Sequence, residues 1–282
     1  MRRSTSLIGM QRCEALIVTC ATAVILGIML LPIIAVILIS FTPSSSIGFP
    51  PPGLSLKWYA ATYDMLFGHD ADLVRLRESL TTSISVAGLT AGICCFAGVP
   101  AAYALVRLSF RGKTLFNELV ELPIIFPAIV LGIALLMIVS ALPFNLGIFQ
   151  LVVAHSIIAL PFMIRNVAAA LQGLDPALQE AANTLGASPL RAFGEVVLPL
   201  IRNGVVSGIL LVFVLSFNEF TLSYFLYTVD AFPLSIWLFQ KANTTIDPTI
   251  FAVSTVVILI NVLVILAVDR IAGENASNDK LS

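Results

Sequence analysis

Glu219 is the ionisable residue whose setting is hardest to explain as a surface group. It lies in Ser216-Phe217-Asn218-Glu219-Phe220-Thr221, past the middle of an otherwise apolar stretch. An acid near a bilayer centre costs about 2.5–3.5 kcal/mol on insertion scales, so it should face a bundle interior or a water-filled path and have a partner. With Ser216, Asn218 and Thr221 beside it, such a carboxylate can line a route for a cationic or amine-bearing solute. The alternative is a protonated or arginine-paired glutamate that holds helices together. Glu118 and Glu121, one helical turn apart at the edge of another apolar stretch, read as a solvated helix start.

Little else has the spacing of a reactive site. Gly112-Lys113-Thr114 resembles the end of a phosphate-binding loop, but that loop needs a glycine where Arg107 stands. No serine elbow, paired-histidine zinc motif or glycine-rich dinucleotide motif is present. His69 and His155 are too isolated for a metal cluster. Cys13, Cys20, Cys94 and Cys95 lie in or beside apolar segments without metal-site spacing, and read as packing residues. Asn243-Thr244-Thr245 and Asn275-Ala276-Ser277 match glycosylation triplets and carry no weight. The chain is therefore not expected to be an enzyme or to hold a cofactor or metal of its own.

The elements that must position Glu219 are membrane spans. Of 282 residues, 59% are hydrophobic and 11% charged, with a mean hydropathy of +1.01. A soluble domain carries about 25% charged residues, so the first partner is the lipid bilayer. A net charge of −1 gives no reason to expect nucleic acid. Six spans are predicted, at 15–41, 79–106, 118–142, 148–171, 203–227 and 248–269, each near or above the roughly 20 residues that cross a hydrocarbon core. The first is longer than a signal-peptide core and reads as an uncleaved span. Prolines 32, 100, 123, 127 and 161 fall inside spans, where neighbouring helices can satisfy the freed carbonyls. Gly88/Gly92 and Gly204/Gly208 are small-residue pairs that fit either close helix contact or chance.

Lysine and arginine set the orientation. Arg2, Arg3, Arg12, Arg107, Arg111, Lys113, Arg165, Arg191, Arg202, Arg270 and Lys280 fall on one side of alternating spans. Lys57, Arg75, Arg77 and Lys241 fall on the other. The bias predicts a cytoplasmic N-terminus (1–14), a transmembrane region (15–270) and a cytoplasmic tail (271–282). It also predicts a periplasmic loop at 42–78 and a cytoplasmic loop at 173–202. In the outer loop Trp58, Tyr59 and Tyr63 suit the headgroup zone, and the loop reads as a docking surface or an interfacial connector.

The inner loop is unusual for a polytopic chain. Asp175 can cap a helix whose first turn accepts Pro176, and Gly186 can end it. Ser188 and Pro189 repeat the cap-plus-proline start for a second helix, which runs on to Val196-Val197-Leu198-Pro199. Two well-capped helices in a loop offer another protein something to grip.

Glu180-Ala181-Ala182, Gly186 and Leu198-Pro199, placed before the penultimate span, resemble the EAA motif in permease subunits of bacterial ATP-binding-cassette importers of the type I fold. Further likeness lies in Leu56-Lys57-Trp58-Tyr59, in Leu122-Pro123, Pro127 and Leu131-Gly132, and in Asp247-Pro248-Thr249. These look like the spermidine/putrescine branch, and within it the second membrane subunit, over residues 15–270. The resemblance implies an all-α, six-span permease in the bacterial inner membrane with both termini cytoplasmic. Glu180, Ala181, Ala182, Gly186, Ser188, Pro189, Leu198 and Pro199 would then form coupling helices that dock on a separate ATPase. It further implies a second, different permease subunit, two ATPase subunits that carry ATP and Mg, and a periplasmic or lipid-anchored solute-binding protein. The solute would be a polyamine or related amine.

One departure bears on the solute. Permeases of this branch commonly have paired aspartates in the fifth span, and here Asn218-Glu219 provides one formal charge. That keeps an amino-acid derivative, an opine or an aminophosphonate open as cargo. An ion-driven secondary transporter would instead predict internal repeats and interrupted helices around a binding site. The sequence has no convincing repeat, and the capped loop would have no purpose there.

Overall fold

Apolar runs in lipid must satisfy their backbone amides internally, and this chain does so with helices. The computed structural model describes residues 2–68, 71–244 and 247–278, and among these there is helix and no strand. His69, Thr245 and Lys280 lie outside the described residues, as do the side chains of Arg2, Arg3, Arg12, Cys13, Asn275 and Ser277.

Among the described residues, four helices are long and apolar enough to cross a membrane singly. They are Leu16–Ser40 within α1 (Arg2–Ser40), Arg75–Arg107 within α3 (Ala71–Arg107), α6 (Ile148–Gln172), and Thr249–Val268 within α13 (Thr249–Asn278). A short α2 (Lys57–Phe67) lies between α1 and α3, and α12 (Leu234–Thr244) precedes α13.

The other two predicted spans are broken. The third is a pair, α4 (Lys113–Ile125) and α5 (Ala128–Ser140), bent by 100° at Phe126-Pro127. A proline disfavours helix at the residue before it, and Phe126 is extended, with φ −73° and ψ 138°. The fifth predicted span, 203–227, is also not one helix. Here α10 (Arg202–Phe217) stops after 16 residues, Asn218-Glu219-Phe220 leave the helix, and α11 (Thr221–Leu226) resumes it. Sixteen residues rise about 24 Å, short of a ~30 Å hydrocarbon core.

By contact density the chain forms two units, Met1–Asp64 with Lys241–Ile258, and Met65–Gln240 with Leu259–Ser282. In the first, Trp58 Nε1 donates to the Thr42 carbonyl at 2.8 Å, and Tyr59 OH lies 2.7 Å from Ser40 Oγ. The Leu56-Lys57-Trp58-Tyr59 segment thus ties α2 back to the end of α1. Asp247 Oδ1 accepts the Thr249 N–H at 2.8 Å and caps α13.

The second unit packs α3, α6 and α10 around Cys94, Met163, Val167, Val205 and Val212. A Cβ added at Gly204 would stand 2.4 Å from Ala170 Cβ, and one at Gly208 would stand 2.7 Å from Met163 Sδ. This pair is where the α10 and α6 backbones approach closely. Gly88 and Gly92 face open space, with nothing within 4 Å. Glu121, still partly exposed at the edge of α4, forms an ion pair with Arg165, which also donates to Asn117 Oδ1 at 3.1 Å.

Candidate functional site

The inner loop folds as its caps dictate. Asp175 Oδ1 accepts the Ala177 N–H at 2.9 Å and starts α7 (Pro176–Thr184), with Pro176 at a position that needs no amide. At the other end the Gly186 N–H reaches the Asn183 carbonyl at 3.0 Å, and the Ala187 N–H reaches Ala182 at 3.1 Å. These two bonds make a Schellman motif, and Gly186 supplies the positive φ it needs, +94°. Ser188 Oγ then accepts the Arg191 N–H at 3.3 Å and starts α8 (Pro189–Ala192). The helix continues through a wide π-turn, Phe193–Val197, into α9 (Leu198–Leu200). The π-turn lies directly before Leu198-Pro199, where Pro199 offers no N–H to the carbonyl a turn earlier. At Ile201 the chain bends by 73° into α10.

On this loop Glu180, Ala181, Gly186, Ser188, Pro189 and Pro199 are exposed, and Ala182 and Leu198 are half-buried. The Glu180 side chain takes no hydrogen bond among the described residues, so it does not cap its own loop. Ala182, Gly186, Ala187, Arg191 and Val196 line a groove of about 330 Å³ that also includes Leu185. Leu185 is 89% exposed and Leu190 85%, the two most exposed of the loop's large apolar side chains. Arg191 and Glu195 pair across one helical turn at 3.0 Å.

The second feature is a cavity of about 340 Å³ where the two broken spans meet α6. Phe126 and Ala128 line it from the α4/α5 break, His155 and Phe162 from α6, and Ser216 and Glu219 from the end of α10. Non-helical backbone at membrane depth is tolerated where it is buried in protein or lines a cavity. The substrate-path residues expected from sequence therefore divide. Ser216 and Glu219 line the cavity. Asn218 turns to α13, where it exchanges amide hydrogen bonds with Asn261 at 2.9 and 3.1 Å. Thr221 is half-buried at the start of α11 and does not line the cavity.

Glu219 is half-buried, and its Oε1 accepts the Leu222 N–H at 3.0 Å, capping α11. Among the described residues it has no arginine or lysine partner. Its carbonyl accepts Ser223 Oγ at 2.8 Å and Ser235 Oγ at 3.2 Å.

His155 is a site residue that isolation in sequence hid. It is 2% exposed, with Nδ1 2.8 Å from Ser216 Oγ and Nε2 3.1 Å from Ser223 Oγ. Because the Ser223 proton goes to the Glu219 carbonyl, Nε2 must carry the imidazole proton, and Nδ1 accepts from Ser216. The relay Ser216, His155, Ser223, Glu219 thus closes around the break. Its sequence signal is a polar residue inside apolar α6, matched by serines seven residues apart on either side of Glu219.

Residues 95–273 match the family described as binding-protein-dependent transport system inner membrane component. The spermidine/putrescine transport system permease protein PotC of Escherichia coli is 30% identical over 251 residues, 88% of this chain and 91% of that one. A probable molybdenum ABC transporter permease of Haloferax volcanii is 33% identical over 197 residues, 67% of this chain and 72% of that one. Among solved structures, a chain of a bacterial ABC transporter involved in import of the acidic polysaccharide alginate superposes with a TM-score of 0.70 at 17% identity. That match covers 92% of this chain and 96% of that one, and at this identity it shows the fold alone.

Proposed function

Because this chain belongs to the family of binding-protein-dependent transport system inner membrane components, we propose that its 180–199 loop docks the ATPase that drives it. Membership makes the chain a multi-pass permease subunit of an ABC importer, a transport component that works with an ATPase and a binding protein. In our reading both termini and the capped loop lie on the cytoplasmic side of the bacterial inner membrane. A second, different permease subunit, two ATPase subunits that bind ATP and Mg, and a periplasmic or lipid-anchored solute-binding protein complete the importer.

The observation that carries this reading is the rigid, doubly capped helix pair with Leu185 and Leu190 exposed on it, joined directly at Ile201 to α10. A stiff arm so attached converts closure of the ATPase dimer into tilting of α10, whose far end carries Glu219. The binding protein would deliver solute to the outer mouth, ATP-driven closure would open the path outward, and hydrolysis would reset it. Cross-linking a Leu185→Cys variant to the ATPase in the assembled importer tests the docking. An assembled importer in which that position reaches no ATPase residue sinks it.

For cargo we take the amine class, by likeness to PotC, with Glu219 as the carboxylate that meets an ammonium in an otherwise apolar and aromatic cavity. One observation favours the second reading, an amino-acid derivative, opine or aminophosphonate: among the described residues that line the cavity, Glu219 is the one carboxylate. Thermal-shift screening of the co-expressed binding protein against polyamines and amino-acid derivatives decides between them. Interrupted helices at a cavity were the mark set for an ion-driven transporter. They occur here too, so they do not discriminate, and family membership does not favour that alternative.

A further inference from the structure

We infer that Tyr103 and Arg107 of α3 are positioning residues that fasten the capped loop to α3, so that a displacement of the loop reaches α3 as well as the helices it connects. The inference rests on the docking role proposed above. Tyr103 and Arg107 stand four residues apart, on one face of the helix.

Arg107 holds the root of the loop. Its Nη2 donates to the Leu171 carbonyl at 2.9 Å and to the Leu174 carbonyl at 2.6 Å. These belong to the last turn of α6 and the residues after it, where carbonyls lack helical partners and a cation opposes the helix dipole. Tyr103 grips both arms. Its hydroxyl accepts from Gln179 Nε2 on α7, and its ring meets Phe193 in the π-turn edge-on, 4.8 Å between centroids at 67°. Val106, Leu174, Val197 and Leu198 belong to the apolar cluster beneath these two contacts.

What α3 receives, it can carry far. Its 37 residues run through Pro100 without a break, a rise of about 55 Å. Toward the opposite end Ser83 Oγ accepts the Leu234 N–H at 2.8 Å, and the Arg75 guanidinium sits over the Phe232 ring at 4.6 Å. The neighbouring α4/α5 and α10/α11 pairs are interrupted beside the cavity. In this chain α3, like the unbroken α6, is therefore a stiff member between the loop and the far end of the bundle, and the broken pairs are where the structure can flex.

The test uses the complete importer in liposomes, with solute uptake per ATP hydrolysed and the amount of co-purifying ATPase as readouts. Tyr103→Ala and Arg107→Gln should each lower uptake per ATP about tenfold while ATPase association stays at the wild-type level. Tyr103→Phe, which keeps the ring contact, and Arg107→Lys, which keeps the charge, should lose only about twofold. Wild-type uptake per ATP in the Tyr103→Ala/Arg107→Gln double variant overturns the inference.

Should that double variant fail to insert, a second measurement decides. In a chain whose four cysteines are first replaced, Tyr103→Cys and Gln179→Cys are joined by a short thiol cross-linker. If the loop and α3 move as one body, the joined importer continues to take up solute. If joining stops uptake, the two separate during the cycle and the inference fails. Loss of ATPase docking at Leu185 in the otherwise native importer would instead sink the underlying reading.

Discussion

His155 Nε2 lies 3.1 Å from Ser223 Oγ, across the interruption that carries Glu219. The same imidazole meets Ser216 on the near side of the gap, so one buried side chain of α6 holds both lips of the break. Ser223 in turn donates a hydrogen bond to the Glu219 carbonyl, which fixes the backbone from which the carboxylate projects. Polarised chains of this kind strengthen one another in a low-dielectric interior, and a member left unpaired there is costly.

Replacing His155 should therefore loosen the cavity before it unfolds the bundle. His155→Phe leaves the Ser216 hydroxyl without its partner, a penalty of about 1–3 kcal/mol. A lower melting temperature of the purified protein, with uptake reduced and ATPase association retained, is the expected result. His155→Asn, which can still bond one serine, should recover part of both losses. An unchanged melting temperature in His155→Phe would show that the relay holds nothing.

Glu219 has two duties that one substitution separates. In Glu219→Gln the amide oxygen can still accept the Leu222 N–H, so α11 keeps its cap and the protein should insert and melt as wild type. Without the charge, uptake of an amine-bearing solute should fall by tenfold or more, the scale of one charge-assisted hydrogen bond of about 1.5–3 kcal/mol. Wild-type rate and solute preference would leave Glu219 as a helix cap and nothing more.

Gly186 is a backbone requirement. At φ +94° a residue with a Cβ pays about 1–2 kcal/mol, and a β-branched one more. Gly186→Val should distort the Schellman turn and cut uptake sharply, while the chain still inserts. Normal uptake together with normal ATPase co-purification in this variant would count against the loop as the drive surface.

The two glycine pairs should part company. Gly204→Ala pushes a methyl into Ala170, 2.4 Å away, and should separate α10 from α6, with a fall in melting temperature. Gly88→Ala and Gly92→Ala find nothing within 4 Å of the new methyl and should not lower the isolated subunit's melting temperature. Equal melting shifts for both pairs would refute the assignment of Gly204/Gly208 as the close contact.

The loop was legible because its signals are local. Asp175, Gly186 and Ser188 act through bonds to residues two to five positions away, and the structure makes each of those bonds. The breaks were not legible, because identical residues behave differently in different surroundings. Pro32, Pro100, Pro123 and Pro161 sit inside continuous helices, and Pro127 ends one. Asn218-Glu219-Phe220 contains no helix breaker at all.

From sequence alone came the six apolar segments, the capped loop and the lone acid, since hydropathy and capping depend on neighbours along the chain. Folding in three dimensions decided which segments break, that Asn218 faces Asn261 while Glu219 faces the cavity, and that His155 spans the gap between Ser216 and Ser223. The reason is physical. A helix can be interrupted in lipid only where other elements satisfy the freed polar groups, and here those partners lie 43 to 68 residues away along the chain.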